Sequence, residues 1–157
     1  MDNGGVKVDK REEITKDLKN RILLLDGAMG TMIQKEDLSK EDFGGEKYEG
    51  CNDYLVLTRP DIIKQIHKKY IESGSDIIET NTFNSNSISM EDYKMSDMVT
   101  ELNIASARLA RKIADEYNQQ TPNKPRFVAG SIGPTNKTAS MSADMDDLSR
   151  RSVTFDD

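Results

Sequence analysis

The most constraining feature of this sequence is an uninterrupted apolar run halted by an acid and a glycine: Arg21-Ile22-Leu23-Leu24-Leu25-Asp26-Gly27. Four consecutive aliphatic residues leave no polar face, so the run predicts a strand buried on both sides, as strands of parallel sheets are. Asp76-Ile77-Ile78-Glu79-Thr80 and Arg126-Phe127-Val128-Ala129-Gly130 predict a second and a third strand. Helical stripes separate them. Thr58-Arg59-Pro60-Asp61 is a start signal, with a hydroxyl cap, a proline in the first turn and an acid three residues after the cap. Ile62, Ile66 and Tyr70 then recur along one face with Ile63 beside them, and Ser73-Gly74 closes the helix. Met98, Leu102, Ala105, Leu109, Ile113 and Tyr117 step by three and four, which predicts a long amphipathic helix broken by Thr121-Pro122-Asn123-Lys124-Pro125. Strands alternating with helices predict an α/β fold with parallel strands and right-handed crossovers.

Residues 1–10 carry no pattern and predict a loose terminus, and 11–19 predict a short polar helix. Residues 28–57 read as irregular, and 84–97 as loop and helix start. Thr154-Phe155-Asp156-Asp157 reads as a further helix start, with a hydroxyl cap and acids in the first turn. Three parallel strands leave apolar faces and edges uncovered, so a truncated domain is expected.

Composition narrows the function classes. The chain is 35% hydrophobic and 32% charged, polar but sufficient for a partial core. A net charge of −6 argues against a nucleic-acid partner; Lys64, Lys68 and Lys69 are the nearest thing to a basic patch. No run approaches the ~18 apolar residues that cross a bilayer, and residues 1–13 lack the apolar core of a secretory signal. The single cysteine, Cys51, forbids an internal disulfide and fits a reducing, cytoplasmic setting.

In parallel α/β folds ligands meet the carboxyl ends of the strands. Three segments fall there: Asp26-Gly27-Ala28-Met29-Gly30-Thr31, Asn81-Thr82-Phe83-Asn84-Ser85 and Gly130-Ser131-Ile132-Gly133-Pro134-Thr135-Asn136. All are rich in small and amide residues able to bond a small polar ligand. Each also has a plainer reading. Asp26-Gly27 is an ordinary turn signal, Asn81 and Asn84 are turn formers, Phe83 suits a core, and Gly130 to Gly133 suits a structural turn. Gly27 and Gly30 lack the wider pattern of a phosphate cradle. His67, the only histidine, is flanked by charged residues and is expected on a solvated helix face. One thiol without a nearby histidine makes no zinc site. The acidic run 144–147 is expected at the surface, and the methionines as single gap-fillers or surface residues.

Read together, these stretches resemble a known family. Ile22-Leu23-Leu24-Leu25-Asp26-Gly27-Ala28-Met29-Gly30-Thr31-Met32-Ile33-Gln34 is similar to the opening of the homocysteine-binding domain of cobalamin-dependent methionine synthases. So are Asn52-Asp53-Tyr54-Leu55 with Arg59-Pro60, Asp76-Ile77-Ile78-Glu79-Thr80-Asn81-Thr82-Phe83-Asn84, and Ala129-Gly130-Ser131-Ile132-Gly133-Pro134-Thr135-Asn136. The resemblance implies the first three βα units of a (β/α)8 barrel, which takes about 250 residues when complete. Residues 1–20 would be an N-terminal extension, and 21–157 the partial barrel domain.

In such enzymes zinc held by three cysteines binds the homocysteine sulfur. The thiolate takes a methyl group from methylcobalamin, which methyltetrahydrofolate recharges. By the same resemblance, Asp26 would help hold the homocysteine amino group, and Gly27 would admit the ligand close to backbone. Asn81, Thr82 and Phe83, then Ser131 and Gly133, would line the pocket. The zinc cysteines have no counterpart here, so neither catalytic nor metal-binding residues are expected, and no cofactor is expected to bind this chain by itself. The expected partners are homocysteine, the rest of the barrel, and cobalamin and folate domains. Two other readings stand beside this one: a betaine- or S-methylmethionine-type homocysteine methyltransferase, or a short non-catalytic interaction protein.

Overall fold

The computed structural model describes residues 9–138, 140, 146, 147, 149–151, 153 and 154. Most of the predicted loose terminus, and all but Thr154 of the predicted final helix start, lie outside them. Helix α1, Lys10–Asn20, is capped by Asp9, whose carboxylate accepts from the Arg11 N–H at 2.9 Å. It buries none of its residues. Arg21, just beyond it, reaches back to Asp17 and across to Asp76.

Residues 22–26 run alongside β1, Ile77–Glu79, through a parallel bridge between Leu25 and Ile77. The Asp76 N–H donates to the Leu24 carbonyl at 2.8 Å, and the Asp26 N–H to the Ile77 carbonyl at 2.9 Å. On the other side of β1 lies β2, Phe127–Ala129, parallel and in register with Ile78 opposite Val128. The predicted parallel order is present, with one correction. Residues 22–26 are not buried on both faces: Ile22 is 86% exposed, and Leu24 and Leu25 are each about half exposed. The helices that pack on the sheet reach β1 and β2. The first segment sits at the margin, with little of the described chain over it.

Helix α4, Pro60–Glu72, follows the short α2, Met29–Ile33, and α3, Leu55–Thr58. Its predicted threonine cap is corrected. Thr58 ends α3, and its hydroxyl turns back to the Tyr54 carbonyl, so Arg59 occupies the cap position. The Arg59 guanidinium bonds Asp61 and Asp42 instead. The stripe itself is as predicted: Ile62, Ile63 and Ile66 are buried against Ile33, Phe43 and Leu55. Each such side chain contributes about 1.5–3 kcal/mol. Gly74, at φ +117°, takes the left-handed turn that ends α4.

His67 is a second correction, because it is fully buried. It lies four residues after Ile63 and four before Ile71, both buried, so it belongs to the core stripe and not the charged face. Lys64 and Lys68 instead approach Glu116, on the long helix that follows β1, at 3.8 and 3.7 Å. Neither ring nitrogen of His67 has a partner, and burial pushes its pKa down to about 4.

The segment read as irregular, 28–57, holds α2, α3 and single turns at Glu46–Tyr48 and Asn52–Tyr54. Beyond β1, Asn86 caps the short α5, Ser87–Met90, by accepting from the Ser89 N–H at 2.8 Å. Met90 and Met95 are completely buried with Cys51, Val56 and Leu102, a core use of methionine. The long helix α6, Val99–Gln120, buries Leu102, Ser106, Ala110, Ile113 and Ala114. The last three pack with Ile71 and Ile78, joining α4, α6 and the sheet. Of the acidic run 144–147, Asp146 and Asp147 are described and exposed.

Candidate functional site

The sheet places the ends of its strands at one edge, where a cleft of about 490 Å³ opens. Its wall includes Asp26 and Gly27 from the first segment, Glu79, Asn81 and Phe83 from the end of β1 and its loop, and Ser131 after β2. Asn52 and Asp53 close it from the turn before α3. The lining carries three carboxylates, Asp26, Asp53 and Glu79, and no lysine, arginine or histidine. Such a wall attracts a cationic group.

Asp26 is half-buried and partly satisfied. One carboxylate oxygen, Oδ2, accepts from the Glu79 N–H at 3.0 Å. The other, Oδ1, is buried without a partner. Burial raises the pKa to about 6, the neighbouring Glu79 carboxylate adds to the rise, and the Glu79 N–H works against it. An ammonium donor would satisfy the orphaned oxygen and favour the ionised form. Gly27 leaves room beside Asp26: a Cβ there would sit 3.1 Å from Tyr70 Oη, whose hydroxyl donates to the Ala28 carbonyl.

The two loops are tied together by a ring of hydrogen bonds. The Ser131 N–H donates to Thr80 Oγ1 at 3.0 Å, and Thr82 Oγ1 donates to the Ser131 carbonyl at 2.8 Å. Thr80 Oγ1 and Thr82 Oγ1 are 2.7 Å apart. Each hydroxyl has one proton, and that of Thr82 is already used, so Thr80 donates between them. The Gly133 N–H donates to the Phe83 carbonyl, and a Cβ on Gly133 would fall 2.5 Å from that oxygen. Only glycine fits this approach.

Asp53 anchors the third side. It is buried, and its Oδ1 accepts from the Asn84 N–H at 2.9 Å and Ser85 Oγ at 3.0 Å. Burial raises its pKa, and these two bonds oppose the rise. Asn81 Nδ2 donates to the Asn52 carbonyl at 2.8 Å, a second tie between the same two segments.

Of the residues predicted for the site, Asp26, Gly27, Asn81, Phe83 and Ser131 meet around the cleft. Thr82 and Gly133 are not in its wall; one belongs to the hydroxyl ring and the other packs under Phe83. Phe83 is 54% exposed, so the core alternative for it does not hold. Asn84 lines the cleft from within a predicted strand-end segment, although it was not named for the pocket; Asn52, Asp53 and Glu79 line it and were not predicted to. Their signal was only that they stand inside the resembling stretches.

Zinc needs about four ligands, and thiolates serve only when deprotonated. Burial pushes the Cys51 thiol up to about 11, and its Sγ faces Met90 Sδ at 4.0 Å. No three His, Cys, Asp or Glu side chains among the described residues stand where they could share an ion. These residues do not fit a zinc site. Nor is any helix among them long and apolar enough to cross a membrane.

Comparison with known structures accords with this architecture. The chain is similar to the homocysteine methyltransferase MmuM from Escherichia coli. The metallated form matches with TM-score 0.63 at 23% identity, covering 77% of this chain and 41% of that one. The oxidized form matches with TM-score 0.61 at 26% identity, covering 74% and 39%. The chain thus spans about two fifths of the length of these solved relatives. The fold is α/β with a small parallel sheet, similar to that of the homocysteine methyltransferase barrels. Residues 23–157 match the model of one family, described as homocysteine S-methyltransferase, and the chain belongs to that family.

Proposed function

We propose that this chain supplies the wall that holds the amino-acid end of homocysteine in a homocysteine S-methyltransferase of the cobalamin-dependent methionine synthase type. The observation that carries the reading is the half-buried Asp26 carboxylate at a strand end, with one oxygen lacking a donor, in a cleft lined by acids alone among charged residues. Asp26 takes the substrate ammonium, and Asn81 and Ser131 offer amide and hydroxyl contacts to its polar end. Gly27 admits the ligand against backbone, and Phe83 covers it. Thr82 and Gly133 hold the loops. Residues 21–157 contribute the first three βα units of the barrel, after an extension at 1–20.

The thiolate-activating zinc and the methyl donors, methylcobalamin and methyltetrahydrofolate, belong to parts of the enzyme beyond these residues. No chemical step is assigned to the cleft itself. Its role is to bind and orient. The sequences Glu79-Thr80-Asn81-Thr82-Phe83-Asn84 and Gly133-Pro134-Thr135-Asn136 favour the cobalamin type. A second reading is a betaine- or S-methylmethionine-type homocysteine methyltransferase, and the structural likeness to MmuM does not separate the two.

The test is the mass and donor use of the native protein, detected with an antibody against residues 58–83. A species far heavier than 17.7 kDa that methylates homocysteine from methylcobalamin, and loses homocysteine affinity in Asp26→Asn, is the expected result. Betaine or S-methylmethionine as donor would establish the second reading. A native band at 17.7 kDa would favour an interaction protein over either. This chain alone is expected to bind no zinc and little homocysteine. Stoichiometric zinc with methyl transfer by the isolated chain would overturn the assignment.

A further inference from the structure

Asn52-Asp53 belongs to no strand end. It lies in a single turn before α3, yet it reaches the cleft. Asp53 is 3% exposed, and no lysine, arginine or histidine lines the cleft beside it. A buried carboxylate without a cation is costly, and its hydrogen bonds must offset that cost. Two of them converge on one oxygen: Oδ1 accepts from the Asn84 N–H at 2.9 Å and from Ser85 Oγ at 3.0 Å. Both donors are neutral, and both belong to the loop after β1.

That loop, Asn81 to Ser85, carries one side chain that no hydrogen bond can hold. Phe83 is 54% exposed in the wall of the cleft, and the backbone on either side of it sets its position. On the β2 side, Thr82 Oγ1 donates to the Ser131 carbonyl, and the Gly133 N–H donates to the Phe83 carbonyl. Those bonds end at residue 83. Residues 84 and 85 are held from the opposite side, by Asp53 and by Asn103 of α6, whose Nδ2 donates to the Ser85 carbonyl at 2.9 Å. Asn103 holds a carbonyl and cannot replace an acceptor. Without Asp53, the Asn84 N–H, one residue after Phe83, loses its partner. Asn84 is itself part of the cleft wall.

We propose that Asp53 is a positioning residue for the substrate: by holding Asn84 and Ser85 it sets Phe83 and Asn84 against the cleft, and so fixes the affinity for homocysteine. The inference rests on the homocysteine reading of the cleft and adds to it a residue that acts through the loop. Its physical basis is preorganisation, since a lip already in place needs no ordering when the ligand arrives. Removing both bonds to the carboxylate oxygen should weaken binding about tenfold. An asparagine oxygen has lone pairs for both donors, so Asp53→Asn should stay within about threefold of the parent.

The test follows homocysteine methylation by the native-length enzyme and its variants, together with deuterium uptake at residues 81–86. In Asp53→Ala the KM for homocysteine should rise about tenfold while kcat changes by less than about twofold, and uptake in the loop should quicken. A merely structural loss would do the opposite, lowering the active fraction and hence kcat at an unchanged KM. Asp53→Asn should bring KM back to within about threefold and uptake back to that of the parent. An unchanged KM or an unchanged uptake in Asp53→Ala would overturn the proposal and leave the homocysteine reading standing, as would a KM that Asp53→Asn does not recover. A parent enzyme that does not take homocysteine would overturn the reading, and the proposal with it. If Asp53→Ala does not fold, Ser85→Ala decides, because it removes one of the two bonds. Its KM should rise about threefold with kcat kept, and an unmoved KM would overturn the proposal.

Discussion

Asp26 is well placed for the cleft and poorly placed for the fold, and Asp26→Asn should separate the two. Raising a carboxyl from 3.8 to about 6 corresponds to about 3 kcal/mol against the ionised form in the folded state. Asp26 is only half-buried, so solvent screening reduces the figure to about 1–2 kcal/mol. The sign follows from proton linkage. Between pH 3.8 and 6 the folded chain holds more protons than the unfolded one, so this contribution to stability is present below 3.8 and is lost as pH rises through 6. Asparagine keeps an oxygen for the Glu79 N–H and carries no charge. The variant should therefore be more stable than the parent by about 1–2 kcal/mol at pH 7.5, with the gap closing near pH 4. Urea melts of both proteins at the two pH values measure this, and differencing cancels the titrating groups that do not couple to Asp26. A variant less stable at pH 7.5, or a gap that ignores pH, would refute the reasoning that burial of the charge strains the fold. The gain is the kind expected where a site sacrifices stability for binding.

His67 titrates with the opposite sign. Its folded pKa is lowered to about 4, so its contribution is present above 6.5 and is lost as pH falls towards 4, by about 3 kcal/mol in all. His67→Leu should leave stability at pH 7.5 equal or higher and remove that acid-side loss, which paired melts from pH 7.5 to 4 will show. Gly133→Ala should cost about 1–3 kcal/mol in thermal or urea unfolding, because its Cβ would sit 2.5 Å from the Phe83 carbonyl oxygen. Gly130→Ala, with nothing within 4 Å of the added carbon, is the control and should cost far less. Thr82→Val leaves the Ser131 carbonyl without its hydroxyl donor and opens the ring between the loops. A loss of about 1–2 kcal/mol and faster amide exchange at Ser131 are expected.

Where the sequence was legible, a periodic pattern and a packing partner coincided. The stripe of α4 and the steps of α6 announced themselves because each helix has an apolar face that the sheet and the other helix cover. His67 was misplaced on a solvated face because its charged neighbours outweighed its position: 63, 67 and 71 form one ladder, and the lysines beside it in sequence point elsewhere. The Thr58 cap failed because a helical turn, α3, already ran up to it and claimed its hydroxyl. Capping signals assume that an extended residue comes first. Residues 22–26 failed differently. Their composition does mark a parallel strand, but burial depends on what lies over the strand, and no local pattern encodes that.

The candidate site divides along the same line. Asp26, Gly27, Asn81, Phe83 and Ser131 were readable because parallel topology sends every strand end to one edge, so three short loops had to meet. Asp53 was not, because it comes from a turn that belongs to no strand end. Only the folded chain shows its carboxylate beneath the 84–85 backbone.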